Sequence, residues 1–474
     1  MGNPCVRTPN IDRLASEGTV FTRHVASNSL CMPSRASLLT GRYPPAHGVW
    51  INGVALNRGD HANLPSPPAA YAEPPTMADL FAGAGYDTVA FGKLHLTPFL
   101  ASAEHGYREA SACWADGKLD DWHGPYYGFR HVDLLPWHGE RLCSLGHYGV
   151  WLGRHHPDVQ ARVLAERDRH ERPVPDLQDL YASPLPGELH YSAWLGQRFC
   201  KYIGERPKDR PFFAFVGFPD PHHPFTPSRD VLEEFAGCDV QEPMDPEGSS
   251  MRGSPAEDVL VKAEMSAEHH AIIARHTYAM VYQIDLAVGR MLDALDRAGL
   301  RDETVVVFTS DHGEFLCDHG MLRKCLFAFD TLLRVPFVMR APGAGLPHRV
   351  DAPMSNVDVL PTLAALAGLP PPEYVQGRDI RPVLASGEEH HAFSFLADGH
   401  PRHVNYTVYD RDCRLTLYPN AGYEEMFDHR TDPAEMVNVA GDPDYRERRE
   451  ALTAVLKDRL PTCWSPPLAR VAAW

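Results

Sequence analysis

Three apolar, β-rich runs each stop abruptly at a polar cluster. Thr88-Val89-Ala90-Phe91 leads into Gly92-Lys93-Leu94-His95, Phe212 to Phe218 into Asp220-Pro221-His222-His223, and Thr304 to Thr309 into Asp311-His312. Unbroken apolar runs suit strands buried on both faces, as in a parallel sheet covered by helices. Such sheets collect ligands beyond the carboxyl ends of their strands, so the three polar clusters are expected to converge on one site. Val335-Pro336-Phe337-Val338-Met339 reads as a further strand, with its proline at the start or on an edge.

Helical periodicity fills the intervals. From His276 to Leu300 the apolar positions Met280, Ile284, Ala287, Met291 and Leu295 recur at three- and four-residue steps, which predicts one buried stripe with Gly299 near the stop. Thr76 to Ala84, capped by Thr76, and Asp358 to Gly368, closed by Gly368, read as shorter helices. Strands alternating with helices define an α/β fold built on a large, mostly parallel sheet flanked by helices. After about Pro382 the texture changes: Asn405 to Leu417 alternates as a strand does, and no comparable strand-helix repeat follows. Residues 1–382 are therefore expected to form a catalytic domain and 383–474 a small second one.

The 474-residue length accommodates two domains and a large core. A formal charge of −17 argues against nonspecific nucleic-acid binding and against a basic membrane-facing surface, yet a few cations focused in one cleft still attract an anion. No apolar run reaches membrane-spanning length and the first residues lack signal-peptide character, so a soluble, cytoplasmic chain is expected. Ten cysteines, without Cys-x-x-Cys pairs, suggest mostly buried free thiols and no compact disulfide framework. Leu64 to Pro75 and Pro243 to Pro255 read as surface loops, and the Cys463 to Trp474 tail offers a contact for a neighbouring copy in a homo-oligomer.

The sharpest chemical signal is Cys31-Met32-Pro33-Ser34-Arg35 followed by Leu39-Thr40-Gly41-Arg42. This pattern resembles the signature of the sulfatases, within the alkaline phosphatase superfamily, and looks closest to the branch of arylsulfatases and phosphonate monoester hydrolases. The resemblance continues through Gly92-Lys93-Leu94-His95, Asp311-His312, Lys324, and Met426-Phe427-Asp428 with Asp432-Pro433-Ala434-Glu435 and Asn438. It implies that the C-terminal segment belongs to a small antiparallel sheet with a packed helix.

The resemblance further implies that Cys31 is oxidised to formylglycine by a separate maturase. The aldehyde hydrate attacks sulfur and then expels sulfate with its second hydroxyl. Arg35, at the start of a predicted helix, would face the same side as Cys31 and offer a fixed fork to oxyanions, beside the positive end of the helix dipole. The family pattern makes Lys93 a contact to nucleophile and substrate oxygens, His95 a hydrogen-bond partner of the nucleophile, and Lys324 a sulfate ligand. Only seven lysines occur in the chain, so two beside independent motifs carry weight. His222 matches the histidine that protonates the departing oxygen, a task suited to imidazole. Asn52 and Thr97 are candidate substrate contacts.

Asp311 and His312, with residue 31, are the expected ligands of one divalent metal ion, calcium or manganese, and the imidazole favours manganese. The substrate is expected to be a small-molecule sulfate ester, with a phosphonate monoester or phosphodiester as the alternative. The family pattern also has an opening strand and an acidic metal-binding pair before the equivalent of Asn3-Pro4. On that basis Met1 corresponds to an internal position, and Asp12, inside a predicted helix after Asn10, does not replace those ligands. Weak metal binding, poor turnover and, at the extreme, an inactive anion-binding protein are the expected consequences.

Overall fold

A computed structural model describes residues 3–58, 73–174, 177–245, 247–257, 265–459 and 468–473. The predicted apolar runs are strands: β2 spans Asp87–Gly92, β4 Phe212–Gly217, β5 Val306–Thr309 and β6 Arg334–Arg340. β1 (Thr19–Val25) and β3 (His131–Leu134) are additional. β2 lies between β3 and β4, parallel to both, so Gly92, Leu134 and Gly217 end at one level. A mixed sheet follows the order β5-β6-β1-β7, where β7 is Arg349–Val350, and β8 (Met354–Ser355) also pairs with β1. β6 is antiparallel to β5 and β1, whereas β7 and β8 run parallel to β1. The catalytic part is thus α/β with parallel pairing predominant.

Pro336 corrects the expectation of a start or edge position. It is the third residue of β6, a strand paired on both sides. Its missing N–H is tolerated because it lies past the β5 pairing, which ends at Phe337↔Thr309, and opposite the irregularity in β1 between Phe21 and His24.

The long helix is Ala267–Arg297, nine residues earlier at its start than the predicted stripe, and Ser266 caps it by accepting the His269 N–H at 3.1 Å. It packs against the helix Tyr191–Glu205, where Gly196 brings the two backbones together: a Cβ there would stand 3.3 Å from Ala287. The shorter helices are Met77–Gly83, with a capping box at Thr76 and Asp79, and Asn356–Leu366. Thr8 precedes the helix Pro9–Glu17 without a side-chain cap, and Asp285 of the long helix takes that role by accepting the Asn10 and Ile11 N–H groups at 3.0 and 2.8 Å. Asp12 accepts the Thr8 hydroxyl at 3.3 Å, a local side-chain contact in the first turn.

β9 (Ala392–Leu396), β10 (Asn405–Tyr409), β11 (Cys413–Tyr418) and β12 (Tyr423–Asp428) form an antiparallel sheet in the order β12-β11-β10-β9, with the helix Arg446–Arg459 against β10 and β11. This sheet reaches the catalytic part directly. Asn28 donates to the Phe395 carbonyl at 2.7 Å and the Phe395 N–H to the Ser27 carbonyl at 3.0 Å, which tethers the loop leading to Cys31.

Cys5 and Cys238 form a disulfide, and the other cysteines among the described residues are free. Most of the predicted Leu64 to Pro75 loop and Cys463 lie outside the described residues. The described part of the tail packs on its own chain: the Trp50 indole donates to the Leu468 carbonyl at 3.0 Å and the Val471 N–H to the Gly53 carbonyl at 2.8 Å. No helix among the described residues is long and apolar enough to cross a membrane.

Candidate active site

Cys31 is the first residue of the helix Cys31–Thr40 and is fully buried. Its approach is fixed residue by residue. Asn28 accepts the Leu30 N–H at 2.8 Å, Ser29 donates to the Cys325 carbonyl, and Asn52 accepts the Met32 N–H at 3.1 Å. Behind the helix a buried chain runs from His24 through Asn356, 2.8 Å away, to the Ser34 hydroxyl at 2.8 Å, and that hydroxyl donates to the Asp311 carbonyl. Every link is hydrogen-bonded, as burial of polar groups requires.

The strand ends supply the facing groups. Gly92 closes β2 with φ +100°, and a Cβ there would lie 2.1 Å from the Gly217 carbonyl oxygen. Only glycine allows this left-handed turn with such close approach, and it delivers Lys93, whose N–H bonds the Gly217 carbonyl at 2.8 Å. Arg35 ties β2 to β5: Nε donates to Asp311 Oδ2 at 2.7 Å and Nη1 to the Lys93 carbonyl at 2.8 Å. Burial alone would push the Asp311 carboxyl up, but the Arg35 guanidinium and neighbouring cations hold it well below the usual carboxylate range.

Around the Cys31 sulfur, Lys324 Nζ lies at 3.3 Å and His312 Nε2 at 3.2 Å. Burial disfavours the thiolate, but Lys324, Lys93 and His312 outweigh it, and the thiol is held well below its ordinary value. His222 bridges Lys324 at 2.5 Å through Nε2 and donates from Nδ1 to the His223 carbonyl, so its Nε2 carries the lone pair. Burial followed by the Lys324 charge brings His222 down to about 3. Burial brings Lys93 down to about 8 and His95 to about 4. His95 stacks on Phe99 at 3.8 Å, and neither ring nitrogen closes a hydrogen bond of ordinary geometry. Asn52 Nδ2 is likewise buried and unpartnered.

The structure thus gathers Cys31, Arg35, Lys93, His95, His222, Asp311, His312 and Lys324 from separate segments, with Asn52 beside the helix start. Thr97 departs from the expectation of a substrate contact. Its hydroxyl is fully buried against the Tyr126 hydroxyl at 3.2 Å and Glu109 at 3.4 Å. Glu109 also accepts the His95, Leu96 and Thr97 N–H groups, holding the segment that carries Lys93 and His95.

Sequence reasoning missed Glu109 and His138. His138 Nε2 lies 2.8 Å from Lys93 Nζ, and its ring stacks on His222 at 4.0 Å with 8° between planes. The available signal was the end of β3, a fourth strand whose apolar run is short and interrupted by Asp133.

The sulfatase family model matches residues 1–369, and a second model, the C-terminal region of N-sulphoglucosamine sulphohydrolase, matches 317–461. The chain belongs to the sulfatase family. As a sulfatase it is a sulfuric ester hydrolase. It is 28% identical to the uncharacterized sulfatase YidJ of Escherichia coli, over 96% of this chain and 82% of that protein. It is 26% identical to the arylsulfatase of Clostridium perfringens, over 96% of this chain and 89% of that one. The phosphonate monoester hydrolase of Agrobacterium radiobacter superposes with a TM-score of 0.73 at 26% identity, covering 96% of this chain and 91% of that chain.

Proposed function

We propose that this sulfatase hydrolyses a small-molecule sulfate ester through a formylglycine formed at position 31 by a separate maturase. The carrying observation is the placement of Cys31 at a helix start, with Lys324 and His312 within 3.3 Å of its sulfur. Once formed, formylglycine supplies a geminal diol, one hydroxyl to attack sulfur and one to release sulfate. The unpartnered nitrogens of His95 and the free Nδ2 of Asn52 suit a residue richer in hydroxyls than a thiol.

A sulfate ester resists attack because its oxygens are negative, so the site must offset that charge most strongly in the transition state. Lys93, Lys324 and the helix dipole bring positive charge to bear on the sulfate oxygens. Arg35 holds Asp311 and the Lys93 carbonyl in place, fixing the distance between strand ends. The protonated form of the His222–Lys324 pair delivers a proton at His222 Nε2 to the departing oxygen.

Cys31, Asp311 and His312 place their donor atoms within 4.8 Å of one another, a fit to part of a divalent ion's shell, since such ions take about six ligands. When bound there, the ion polarises the ester oxygen and favours ionisation of the nucleophile. An imidazole beside a carboxylate favours manganese over calcium.

The structural match to a phosphonate monoester hydrolase supports a second reading, in which a phosphonate monoester or phosphodiester is the preferred substrate. Turnover of 4-nitrophenyl sulfate against 4-nitrophenyl phenylphosphonate and bis(4-nitrophenyl) phosphate decides. The proposal expects the largest kcat/KM on the sulfate, and a larger value on either phosphorus ester replaces it with the second reading.

A further inference from the structure

We infer that His138 is a positioning residue of this site, holding the Lys93 ammonium by a hydrogen bond and the plane of the His222 imidazole by stacking. The inference rests on the roles proposed for Lys93 and His222.

His138 follows the end of β3 and is only 9% exposed. A buried core histidine ordinarily satisfies its ring on backbone groups, as His147 does by accepting the Leu134 N–H and bonding the Trp122 carbonyl, each at 2.7 Å. His138 does otherwise: its hydrogen-bond partner is the lysine ammonium of the site, 2.8 Å away. An ammonium has donors only, so the facing Nε2 must present its lone pair and the ring must be neutral. One of the three Lys93 donors is thereby anchored, leaving the others for the anion.

The second contact is independent of the first. The His138 and His222 rings are parallel within 8° at 4.0 Å. The in-plane bonds of His222 to Lys324 and the His223 carbonyl fix its edges, but neither opposes tilting about the line joining them. The flat face of His138 does. A neutral neighbour also allows His222 to carry a proton without a second cation stacked against it. Phe99, tilted against His138 at 5.6 Å and stacked on His95 at 3.8 Å, extends the same wall to the third nitrogen base of the site.

Two substitutions separate the two contacts. His138→Phe keeps a flat ring over His222 and removes the lysine acceptor. His138→Gln keeps an acceptor and removes the ring. The probes are 4-nitrophenyl sulfate and phenyl sulfate, whose leaving oxygen is more basic and depends more on proton delivery. H138Q is expected to lose at least tenfold more kcat on phenyl sulfate than on 4-nitrophenyl sulfate, with KM near the parent value. H138F is expected to raise KM on both esters by a common factor of roughly tenfold, with the ratio of the two kcat values unchanged. Melting temperatures check folding, and if one variant fails to fold the other decides alone. Equal losses on both esters in H138Q, or an unchanged KM in H138F, overturn the inference. His222→Ala is measured alongside: if it too leaves the kcat ratio unchanged, the role of His222 falls and the inference with it, whereas a steepened ratio in H222A without one in H138Q defeats His138 alone.

Discussion

At the scale of single residues, charge and geometry around position 31 are set by a few pairs that cannot be exchanged for look-alikes. Arg35 shows this most clearly, because two different atoms of one guanidinium reach Asp311 and the Lys93 carbonyl. A lysine offers one point charge and cannot span both. R35K is therefore expected to lower kcat/KM by roughly a hundredfold, the range for losing a preorganised electrostatic contact, and to lower the melting temperature by several degrees. Steady-state kinetics and a thermal melt check both. The unaltered melting temperature with full activity that a surface arginine would give is the contrary result.

At the scale of elements, strand ends do the positioning. Gly92 turns β2 into Lys93 with a left-handed φ of +100° and no room for a Cβ. G92A is expected to cost about 3 kcal/mol or more, since backbone strain and a clash with the Gly217 carbonyl add, and to reduce turnover by displacing Lys93. Chemical denaturation measures the first effect and kinetics the second. The same strand ends explain what was legible beforehand. β2, β4 and β5 are continuous apolar runs that break into Lys93, His222 and Asp311, so period and position together marked the site. β1 escaped notice because its bulge disrupts alternation and places Arg23 and His24 inside the strand. β3 is four residues with a central aspartate, and with it went the pointer to His138. The first nine residues of the long helix were hidden because His270, buried in the fold, stands where an apolar side chain would be sought. Thr97 matched a pattern of polar neighbours, but the contacts of Glu109 and Tyr126 that occupy its hydroxyl come from residues 12 and 29 positions away.

At the scale of the whole molecule, buried neutral histidines make the fold sensitive to acid. His47 accepts the Val49 N–H at Nδ1, at 3.1 Å, and bonds Ser37 at 3.0 Å through Nε2. Burial lowers His47 to about 3, His190 to about 3, and His24 and His147 to about 4. Each is neutral when folded and takes a proton near pH 6.5 when unfolded. Their stabilisation is therefore complete above pH 6.5 and is lost as pH falls from there towards pH 3 to 4, at about 1.4 kcal/mol per pH unit per group. Stability should fall steeply between pH 6.5 and 5, and H47Q, which keeps both hydrogen bonds without titrating, should flatten that limb. Denaturation at several pH values checks it, and a flat profile in the parent protein is the contrary result.

The C-terminal sheet shares in the same whole. Glu435 accepts two bonds from the buried Arg414, one from His429, and the Asp330 N–H of the catalytic part at 3.0 Å. Removing one charge of such a buried pair costs about 3–5 kcal/mol, so E435Q should destabilise the protein by that order in a denaturant titration. Through the Asn28 and Phe395 contacts, this sheet also steadies the loop before Cys31.

The account stands or falls on Cys31 as the precursor of the nucleophile in sulfate-ester hydrolysis. The direct measurement is kcat/KM on 4-nitrophenyl sulfate for the parent protein and for Cys31→Ala, both produced with a formylglycine-generating maturase. A loss of at least a thousandfold in C31A is predicted, in keeping with removal of a covalent nucleophile. Retention of parent-level turnover by C31A contradicts it.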